Sequence, residues 1–315
     1  MKSGVLILDK PKGMTSFKVV ECVKRRLRVK KAGHTGTLDP MATGLLVVCI
    51  GSATKIARFL TDADKVYQGR ITLGIETDTY DMDGEILARS PVPESLTRED
   101  VQAAADGFKG PILQVPPAYS AAKHNGVPLY KLARKGVTIK KEPKTVHIYD
   151  FQITSYEPPH FDFLVHCSKG TYVRTLAHEM GKALGCGAVL SGLRRLRSGY
   201  LSVEEAISVQ SIMDREPKEI RQRIMPVELV LSHIPSIVVN NRDALFIQQG
   251  RGLGLIKVVD YLQEQMAEFK SIKADYLRVM TIEPGGKERL VAIAKWPDFN
   301  DHKGRLEILR VWNPN

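Results

Sequence analysis

Residues 33–44 read Gly-His-Thr-Gly-Thr-Leu-Asp-Pro-Met-Ala-Thr-Gly, a glycine- and threonine-rich bend between two apolar segments. Its three glycines let the backbone or a ligand approach closely. Pro40 restricts the backbone directly after Asp39, which gives that carboxylate a defined direction, as a reactive group needs. Asp-Pro is also ordinary turn chemistry, in which the aspartate hydrogen-bonds its own backbone, and the stretch taken alone favours that interpretation.

The same stretch resembles the motif G-H-x-G-x-L-D-P of the tRNA pseudouridine-55 synthases, the TruB family, whose motif aspartate attacks the target uridine. Other segments resemble the family in the same order over about the first two-thirds of the chain. They are GVLILDKPKG (residues 4–13), KVY (65–67), TDTYDMDG (77–84), CSKGTYVRT (167–175) and LRRL (193–196). The resemblance implies that Asp39 is the nucleophile and that Lys10 and Pro11 brace its loop.

The composition favours a polyanionic partner. The chain has 315 residues, and its 46 Lys and Arg exceed its 35 Asp and Glu, which gives a formal charge of +11. Such an excess is typical of proteins that bind nucleic acid, although a basic surface also serves solubility. The length suits two domains.

The four cysteines indicate neither a structural metal nor a disulfide framework. Cys22, Cys49, Cys167 and Cys186 form no CxxC pair, and no histidine lies at zinc-finger spacing. Reduced thiols are expected. No segment reaches transmembrane length, and the N-terminal residues form a strand-like segment rather than a signal peptide. We therefore expect a cytoplasmic protein that makes no membrane contact.

The apolar pattern predicts an α+β fold. Residues 5–8 and 45–50 read as buried strands, and Thr15 or Ser16 is expected to cap a helix. Ser52 is expected to cap a further helix. Alternation from Tyr67 to Ile75 predicts one strand with Tyr67 facing the core. Helices at 97–108 and 171–184 and a strand at 161–167 complete the prediction.

No βα unit repeats along the chain, so a doubly wound parallel sheet is not indicated. The resemblance implies instead a mixed, mainly antiparallel sheet of pseudouridine-synthase type. It divides the chain into a catalytic domain at residues 1–232 and a small β-rich, PUA-like C-terminal domain at 233–315.

An insertion at about residues 109–146 interrupts the catalytic domain. Between residues 120 and 146, seven Lys and Arg, among them Lys131, Arg134 and Lys135, accompany the single acid Glu142. A solvated basic loop is one interpretation. The region resembles the family's inserted arm that clamps RNA, which favours phosphate contacts by Lys131 and Arg134.

The C-terminal domain has a clear hairpin pattern. Residues 277–282 and 290–294 flank a Pro-Gly-Gly turn, and residues 305–311 predict a closing strand. Residues 255–273 read as a helix-like insertion where the family's small barrel has a short connection. The sequence therefore leaves open whether this domain binds RNA.

The isomerisation cuts a glycosidic C–N bond and makes a C–C bond, without an intrinsic need for a metal or redox cofactor. Asp39 can add to C6 of the uracil or act at C1′ of the ribose, and the sequence leaves both routes open. A carboxylate shielded from water takes up a proton unless a cation holds it ionised. Arg174 is the candidate cation, because it flanks the apolar stripe in the first turn of a helix, where the helix dipole opposes a positive charge. Without the resemblance, a solvent-exposed Arg174 is the simpler interpretation.

The resemblance implies roles for four further residues. Tyr67 would place its ring against the uracil and its hydroxyl in a proton relay, while also serving as a core residue. His34 would fill the space of the extruded nucleotide and stack on neighbouring bases. Asp81 would orient Arg174 or Tyr67. Leu193 would form an apolar wall of the pocket, although an ordinary core leucine is nearly as good an interpretation.

The sequence thus predicts an enzyme that isomerises uridine-55 in the T-loop of tRNA as a monomer, without a cofactor or a guide RNA. One alternative is the guide-RNA-dependent branch of the family, whose catalytic subunit works inside a ribonucleoprotein and typically has an extra N-terminal segment that we do not expect here. Another is an RNA-binding or RNA-folding module with an incidental pocket. The ordered presence of Asp39, Tyr67 and Arg174 argues against that module.

Overall fold

The computed structural model describes residues 3–133, 135–137, 139, 141–265, 269–299 and 304–313. Within these ranges no helix is long and apolar enough to cross a membrane. The helices are α1 (Ser16–Leu27), α2 (Ala57–Thr61), α3 (Arg98–Asp106), α4 (Leu129–Ala133), α5 (Val173–Ala183), α6 (Val209–Asp214), α7 (Pro217–Gln222), α8 (Val227–Val230), α9 (Asn241–Gln248) and α10 (Leu255–Gln265), with short 3-10 helices at Gly51–Ile56, Val203–Glu205 and Phe269–Ser271.

The strands fall into one large sheet and three smaller ones. They are β1 (Gly4–Lys10), β2 (Ala32–His34), β3 (Thr43–Ile50), β4 (Lys65–Leu73), β5 (Ile75–Thr77), β6 (Ile86–Arg89), β7 (Gly110–Gln114), β8 (Lys123–His124), β9 (Val127–Pro128), β10 (Lys144–Glu157), β11 (His160–Cys167), β12 (Ala188–Ser198), β13 (Leu201–Ser202), β14 (Ile207–Ser208), β15 (Ser236–Val238), β16 (Tyr276–Ile282), β17 (Glu288–Lys295) and β18 (Ile308–Val311).

The large sheet is mixed and mainly antiparallel, which confirms the predicted fold class. Its order is β14-β1-β3-β12-β4-β11-β10-β7, with β2 paired to β3 and β13 to β12. The β1–β14 and β3–β12 pairings are parallel, and the other pairings described for this sheet are antiparallel.

Strand β1 is apolar along its length because both of its faces are covered. Successive side chains of a strand point to opposite faces. Leu6 and Leu8 therefore join the core that contains the apolar stripe of α1, whereas Val5 and Ile7 join the core on the other face. Helix α1 begins where the sequence predicts, with the Thr15 hydroxyl accepting a hydrogen bond from the backbone N–H of Lys18.

A third core covers the part of the sheet that carries the candidate site. Helices α3 and α5 pack there against β4, β10, β11 and β12, through residues that include Val101, Leu176, Tyr67, Phe163 and Leu190. The predicted inward face of β4 and the predicted helix near residues 171–184 are confirmed.

Gly44, the last residue of the quoted stretch, allows β3 to pair with β12. Its φ is +98°, and a Cβ atom at this position would lie 2.3 Å from the carbonyl oxygen of Arg195. A side chain would force the two strands apart, since non-bonded atoms do not approach so closely. The pairing of Gly44 with Arg195 thereby connects the loop that carries Asp39 to the centre of the sheet.

Two local predictions are wrong, and both fail at glycines. Gly51 turns the chain with φ +64°, so the 3-10 helix starts at Gly51 and Ser52 lies inside its first turn rather than at the cap. Gly74, with φ +80°, ends β4, so Ile75 belongs to the separate β5–β6 hairpin. Positive φ is accessible to glycine at little cost, and the sequence alone does not show which glycines use it.

The C-terminal residues form a four-stranded sheet in the order β15-β16-β17-β18, flanked by α9 and α10. The predicted β16–β17 hairpin is confirmed, and the closing strand β18 is shorter than predicted. Met280, Leu290 and Trp312 belong to the same apolar core as Val5 and Ile7 of β1. The C-terminal sheet is therefore packed against the large sheet rather than held by a free linker.

Candidate active site

A cleft of about 560 Å³ brings together side chains from distant parts of the sequence. The loop between β2 and β3 contributes Asp39, and β4 contributes Tyr67. Helix α5 contributes Arg174, and β12 contributes Leu193. These four residues were selected from sequence, and the fold places all of them on one wall.

Asp39 and Arg174 form an ion pair at the edge of this cleft. Arg174 Nε lies 2.9 Å from Asp39 Oδ2, and the Arg174 side chain is 5% exposed whereas that of Asp39 is 36% exposed. Within the described residues, no backbone N–H donates to the Asp39 carboxylate. The turn interpretation of Asp39 and the solvent-exposed interpretation of Arg174 are therefore both wrong.

The Arg174 guanidinium is fixed by further acceptors. Its Nη1 lies 3.2 Å from Asp81 Oδ2 and donates to the carbonyl oxygen of Thr79 over 3.0 Å. Its Nη2 donates to the carbonyl oxygen of Tyr119 over 2.9 Å. A planar guanidinium with all three nitrogens engaged has little freedom, so Asp39 meets a cation of fixed position.

Asp81 lies behind Arg174 and does not line the cleft. Burial raises the pKa of Asp81, while a hydrogen bond from the Thr79 hydroxyl and the charge of Arg174 oppose that rise. The negative charge of Asp39 raises the pKa of Asp81 further. Two carboxylates thus share one guanidinium, and Asp81 contacts Arg174 rather than Tyr67.

The loop that carries Asp39 is held at its backbone. The Ser16 hydroxyl accepts a hydrogen bond from the N–H of Leu38 at 2.9 Å and donates to the carbonyl of Leu38 at 3.0 Å. The carbonyl oxygen of Pro40 accepts from the N–H of Gly13 at 2.8 Å and from Lys10 Nζ at 3.3 Å. The residues on both sides of Asp39 are therefore tied to the start of α1 and to the turn before it.

Lys10 is fully buried, and its Nζ also donates to the carbonyl oxygens of Pro11 and Met14. Burial lowers the pKa of Lys10 to about 8, with the charge of Asp39 opposing and that of Arg195 adding to the shift. The folded protein gives up this proton at lower pH than the unfolded chain. The cost of burying the charge is therefore present below about pH 8 and disappears as the pH rises toward 10.5.

Lys10→Met removes both the titration and the donors to Pro40. We expect the free energy of unfolding of the wild type to rise relative to the Met variant between pH 7 and pH 10, as measured by denaturant unfolding. We also expect turnover of the variant to fall ~10- to 100-fold, because the Asp39 loop loses a brace. Parallel stability–pH curves for the two proteins would contradict the buried charge.

Tyr67 is 8% exposed and packs in the core while its side chain reaches the cleft. Burial raises the pKa of Tyr67, and the charge and hydrogen bond of Arg195 oppose the rise. The hydroxyl is therefore protonated at neutral pH and can donate a proton or a hydrogen bond. Core packing and a place in the cleft are compatible for this residue.

Arg195 is a cleft residue that the sequence reasoning did not select. Its side chain is buried, with Nε donating to the carbonyl of Leu45 at 2.7 Å and Nη2 to that of Gly36 at 3.1 Å. A Cβ atom at Gly36 would lie 3.3 Å from Arg195 Nη1, so this glycine leaves room for the guanidinium. The signal available in the sequence was the spacing, because Arg195 lies two residues after Leu193 on the same strand face.

The remaining predicted residues lie outside the cleft wall. His34 is in β2, one residue before the cleft begins at Thr35, and its Nδ1 has no hydrogen-bond partner among the described residues. Burial and the charge of Arg195 lower the pKa of His34, so the ring is neutral at neutral pH. Lys131 is exposed on α4, and Arg134 lies outside the described residues.

The base of the basic arm reaches the cleft. Ser120 and Ala121 from its start, and Lys144, Thr145 and Val146 from its end, line the cavity. Within the residues that the structure describes, no three His, Cys, Asp or Glu side chains are grouped so as to hold a metal ion. The chemistry available in the cleft is that of a carboxylate, two guanidinium groups and a protonated phenol.

The chain matches known proteins over most of its length. Residues 24–173 match the family profile described as TruB family pseudouridylate synthase (N terminal domain), and residues 174–232 match that of the tRNA pseudouridylate synthase B C-terminal domain. The tRNA pseudouridine synthase B of Syntrophotalea carbinolica is 40% identical over 313 residues, which cover 99% of this chain and 98% of that relative.

Another tRNA pseudouridine synthase B, from Chromohalobacter salexigens, is 47% identical over 236 residues, 75% of this chain and 76% of the relative. Among solved structures, a chain in "Crystal Structure of a Cbf5-Nop10-Gar1 Complex" is similar with a TM-score of 0.72 and 26% identity. That match covers 99% of this chain and 85% of the other chain.

Proposed function

The chain belongs to the TruB family of pseudouridylate synthases, and from that membership we propose that it isomerises uridine-55 in the T-loop of tRNA to pseudouridine, with Asp39 as the nucleophile. The observation that carries the proposal is the ion pair of Asp39 with the buried Arg174 in a cleft that also contains Tyr67. A half-exposed carboxylate held by a fixed cation is available to a substrate and remains ionised.

The reaction balances without an oxidant, a reductant or a second substrate. The bond between C1′ and N1 breaks, the uracil turns in place, and a bond between C1′ and C5 forms. The proton on C5 is lost and N1 gains one. Asp39 supplies an electron pair, by adding to C6 or by acting at C1′, and is released with the product.

The other residues position the reactants. Arg174 keeps Asp39 ionised and directed, and Asp81 holds Arg174 from behind. Tyr67 lies against the uracil and donates a proton, with Leu193 as the apolar wall of the same pocket. His34 occupies the space of the extruded nucleotide and offsets part of the few kcal/mol that unstacking costs. Arg195 holds the Gly36 side of the loop and orients the Tyr67 hydroxyl.

The relatives favour an enzyme that acts on tRNA by itself. Those named tRNA pseudouridine synthase B are 40% and 47% identical, whereas the similarity to the chain in the Cbf5-Nop10-Gar1 complex is 26%. We therefore prefer a tRNA substrate over a guide-RNA-dependent ribonucleoprotein. The family matches end at residue 232, which supports a catalytic domain at residues 1–232 and a distinct C-terminal domain after it.

The test is to map pseudouridines in an unmodified tRNA transcript after incubation with the purified protein. We expect one modification, at position 55, and none in a matched transcript with cytidine there. An isolated T-arm stem-loop should also be modified with no other RNA or protein present. Modification confined to other uridines, or a requirement for an added RNA, would contradict the proposal.

The basic arm yields a graded prediction. If Lys131, Arg134 and Lys135 contact phosphates, their joint replacement by alanine should weaken binding to any tRNA. The slope of log K against log salt should fall by up to ~0.9 per contact, or ~0.7 on single-stranded RNA. Single-turnover rates at saturating enzyme should match wild type, because phosphate contacts position RNA without reaching the reacting base. Wild-type affinity and salt slope in the triple variant would identify the arm as a solvated loop.

A further inference from the structure

The positive charge of the chain is concentrated in two segments. Residues 120–146, the basic arm, carry a net charge of +6, and residues 12–31 carry eight Lys and Arg against the single acid Glu21, a net charge of +7. Because the whole chain has a net charge of +11, the other residues together are slightly negative. Residues 12–31, named here the basic helix segment because they include α1, have no role in the function proposed so far.

The cations of this segment face solvent and are mostly unpaired. Lys18, Arg25, Arg28, Lys30 and Lys31 are all exposed. Among the described residues, the ion pair of the segment joins Lys24 to Glu21 at 3.7 Å, and none of the five exposed cations has a carboxylate partner. Like charges this dense repel one another, so a surface of this kind is relieved by a polyanion.

The same helix carries the most exposed aromatic side chain of the described residues. Phe17 is 67% exposed, compared with 45% for Tyr149 and 40% for Tyr200. Leaving a phenylalanine in water forgoes roughly 1.5–3 kcal/mol of burial free energy. Its position in the first turn of α1, next to Lys18, combines an aromatic face with positive charge, as in single-stranded nucleic acid sites.

Both ends of the basic helix segment are attached to the loop of Asp39. Ser16, the residue before Phe17, exchanges two hydrogen bonds with the backbone of Leu38, the residue before Asp39. At the other end, Lys31 directly precedes β2, which leads through His34 into the same loop. An RNA strand that delivers a nucleotide to Asp39 therefore passes within reach of this surface.

We infer that the basic helix segment is a second RNA-contact surface, in which its exposed cations bind phosphates and Phe17 stacks on a base of the RNA that enters the cleft. The inference rests on the proposed function for the identity of that RNA. The occupant is RNA rather than an acidic protein because the surface is continuous with the loop that holds the proposed nucleophile. The basic arm and this segment then contact the RNA independently.

The charge component is tested with the joint variant Lys18→Gln, Arg25→Gln and Lys30→Gln. We expect weaker tRNA binding, with the wild-type loss of affinity between 50 and 200 mM salt reduced ~20- to ~40-fold in the variant, from ~0.7 to ~0.9 in salt slope per contact. The matched control is Arg70→Gln, Lys109→Gln and Lys295→Gln, which removes three cations that are already paired with carboxylates. The control should keep the wild-type slope.

The stacking component is tested with Phe17→Ala and Phe17→Tyr. We expect at least a ~5-fold loss of tRNA affinity in the Ala variant with an unchanged salt slope, and near-complete recovery in the Tyr variant. Single-turnover rates at saturating enzyme should equal wild type in all of these variants.

Failure of this inference can be separated from failure of the proposed function. Wild-type affinity and slope in the triple Gln variant overturn the charge contact, and wild-type affinity in Phe17→Ala overturns the stacking contact. Neither result depends on whether wild type makes pseudouridine, because binding is measured directly. If wild type makes none while the variants lose affinity, the surface stands and the function is wrong.

Discussion

Asp39→Asn is expected to abolish pseudouridine formation while tRNA binding stays near the wild-type level. Asparagine keeps the size and much of the hydrogen bonding of aspartate, but its amide is not a nucleophile at C6 or C1′. Removing the nucleophile of an enzyme costs at least ~10⁴-fold in rate. Single-turnover reactions with a T-arm stem-loop at saturating enzyme measure the loss directly.

The Asn variant should still fold. Arg174 keeps its contacts with Asp81 and with the carbonyls of Thr79 and Tyr119, so no buried cation is left without a partner. A matched control is Asp162→Asn, which removes a carboxylate paired with Arg70 at 2.7 Å outside the cleft and should leave turnover unchanged. Product above a trace from the Asp39 variant would exclude Asp39 as the nucleophile.

Arg174→Met is expected to lower both turnover and stability. Asp39 loses the cation 2.9 Å away, and the buried Asp81 loses its charged partner. Removing one member of a buried ion pair typically costs ~3–5 kcal/mol of the free energy of unfolding. Turnover should fall ~10²- to 10³-fold, because Asp39 is then neither positioned nor stabilised in its ionised form.

The loss of stability should depend on pH in a defined direction. Burial raises the pKa of Asp81 above its usual 3.8, and Arg174 opposes that rise, so the Met variant raises it further. The folded variant then holds a proton that the unfolded chain releases near pH 4. Its stability deficit should grow as the pH increases from 4 to 8. Denaturant unfolding of both proteins across this range provides the measurement, and a constant deficit would contradict the buried Asp81–Arg174 pair.

Arg174→Lys is expected to recover little of the lost turnover. The guanidinium reaches Asp39 through Nε, Asp81 through Nη1 and the carbonyl of Tyr119 through Nη2. An ammonium group is a single point and cannot span three directions. If the Lys variant restored near-wild-type turnover, the role of Arg174 would be reduced to its charge.

The sequence predicted those parts of the structure whose signals are local. The apolar run of β1, the cap and stripe of α1 and the β16–β17 hairpin all appear as their patterns indicate. Asp39, Tyr67 and Arg174 could be selected because each lies in a recognisable motif. Their mutual contact could not be derived from spacing, since it depends on the pairing of β12 with both β3 and β4.

The missed features depend on long-range contacts or on backbone groups. Arg195 becomes a cleft residue only because β12 lies beside Gly44, which no local pattern shows. The carbonyl oxygens of Thr79 and Tyr119 hold Arg174, and every residue type supplies a carbonyl. Ser52 has the composition of a cap, but the positive φ of Gly51 moved the start of the helix.

The core shared by the two sheets links the first strand of the chain to residues near its other end. Helix α8 packs against both β1 and β17, and Val5 lies in one core with Leu290 and Trp312. During translation, one apolar face of β1 therefore stays uncovered until some 300 further residues have been made. Contacts of such long range slow folding and leave apolar surface open to aggregation in the meantime. The order of synthesis thus makes the C-terminal sheet a requirement for completing the catalytic fold.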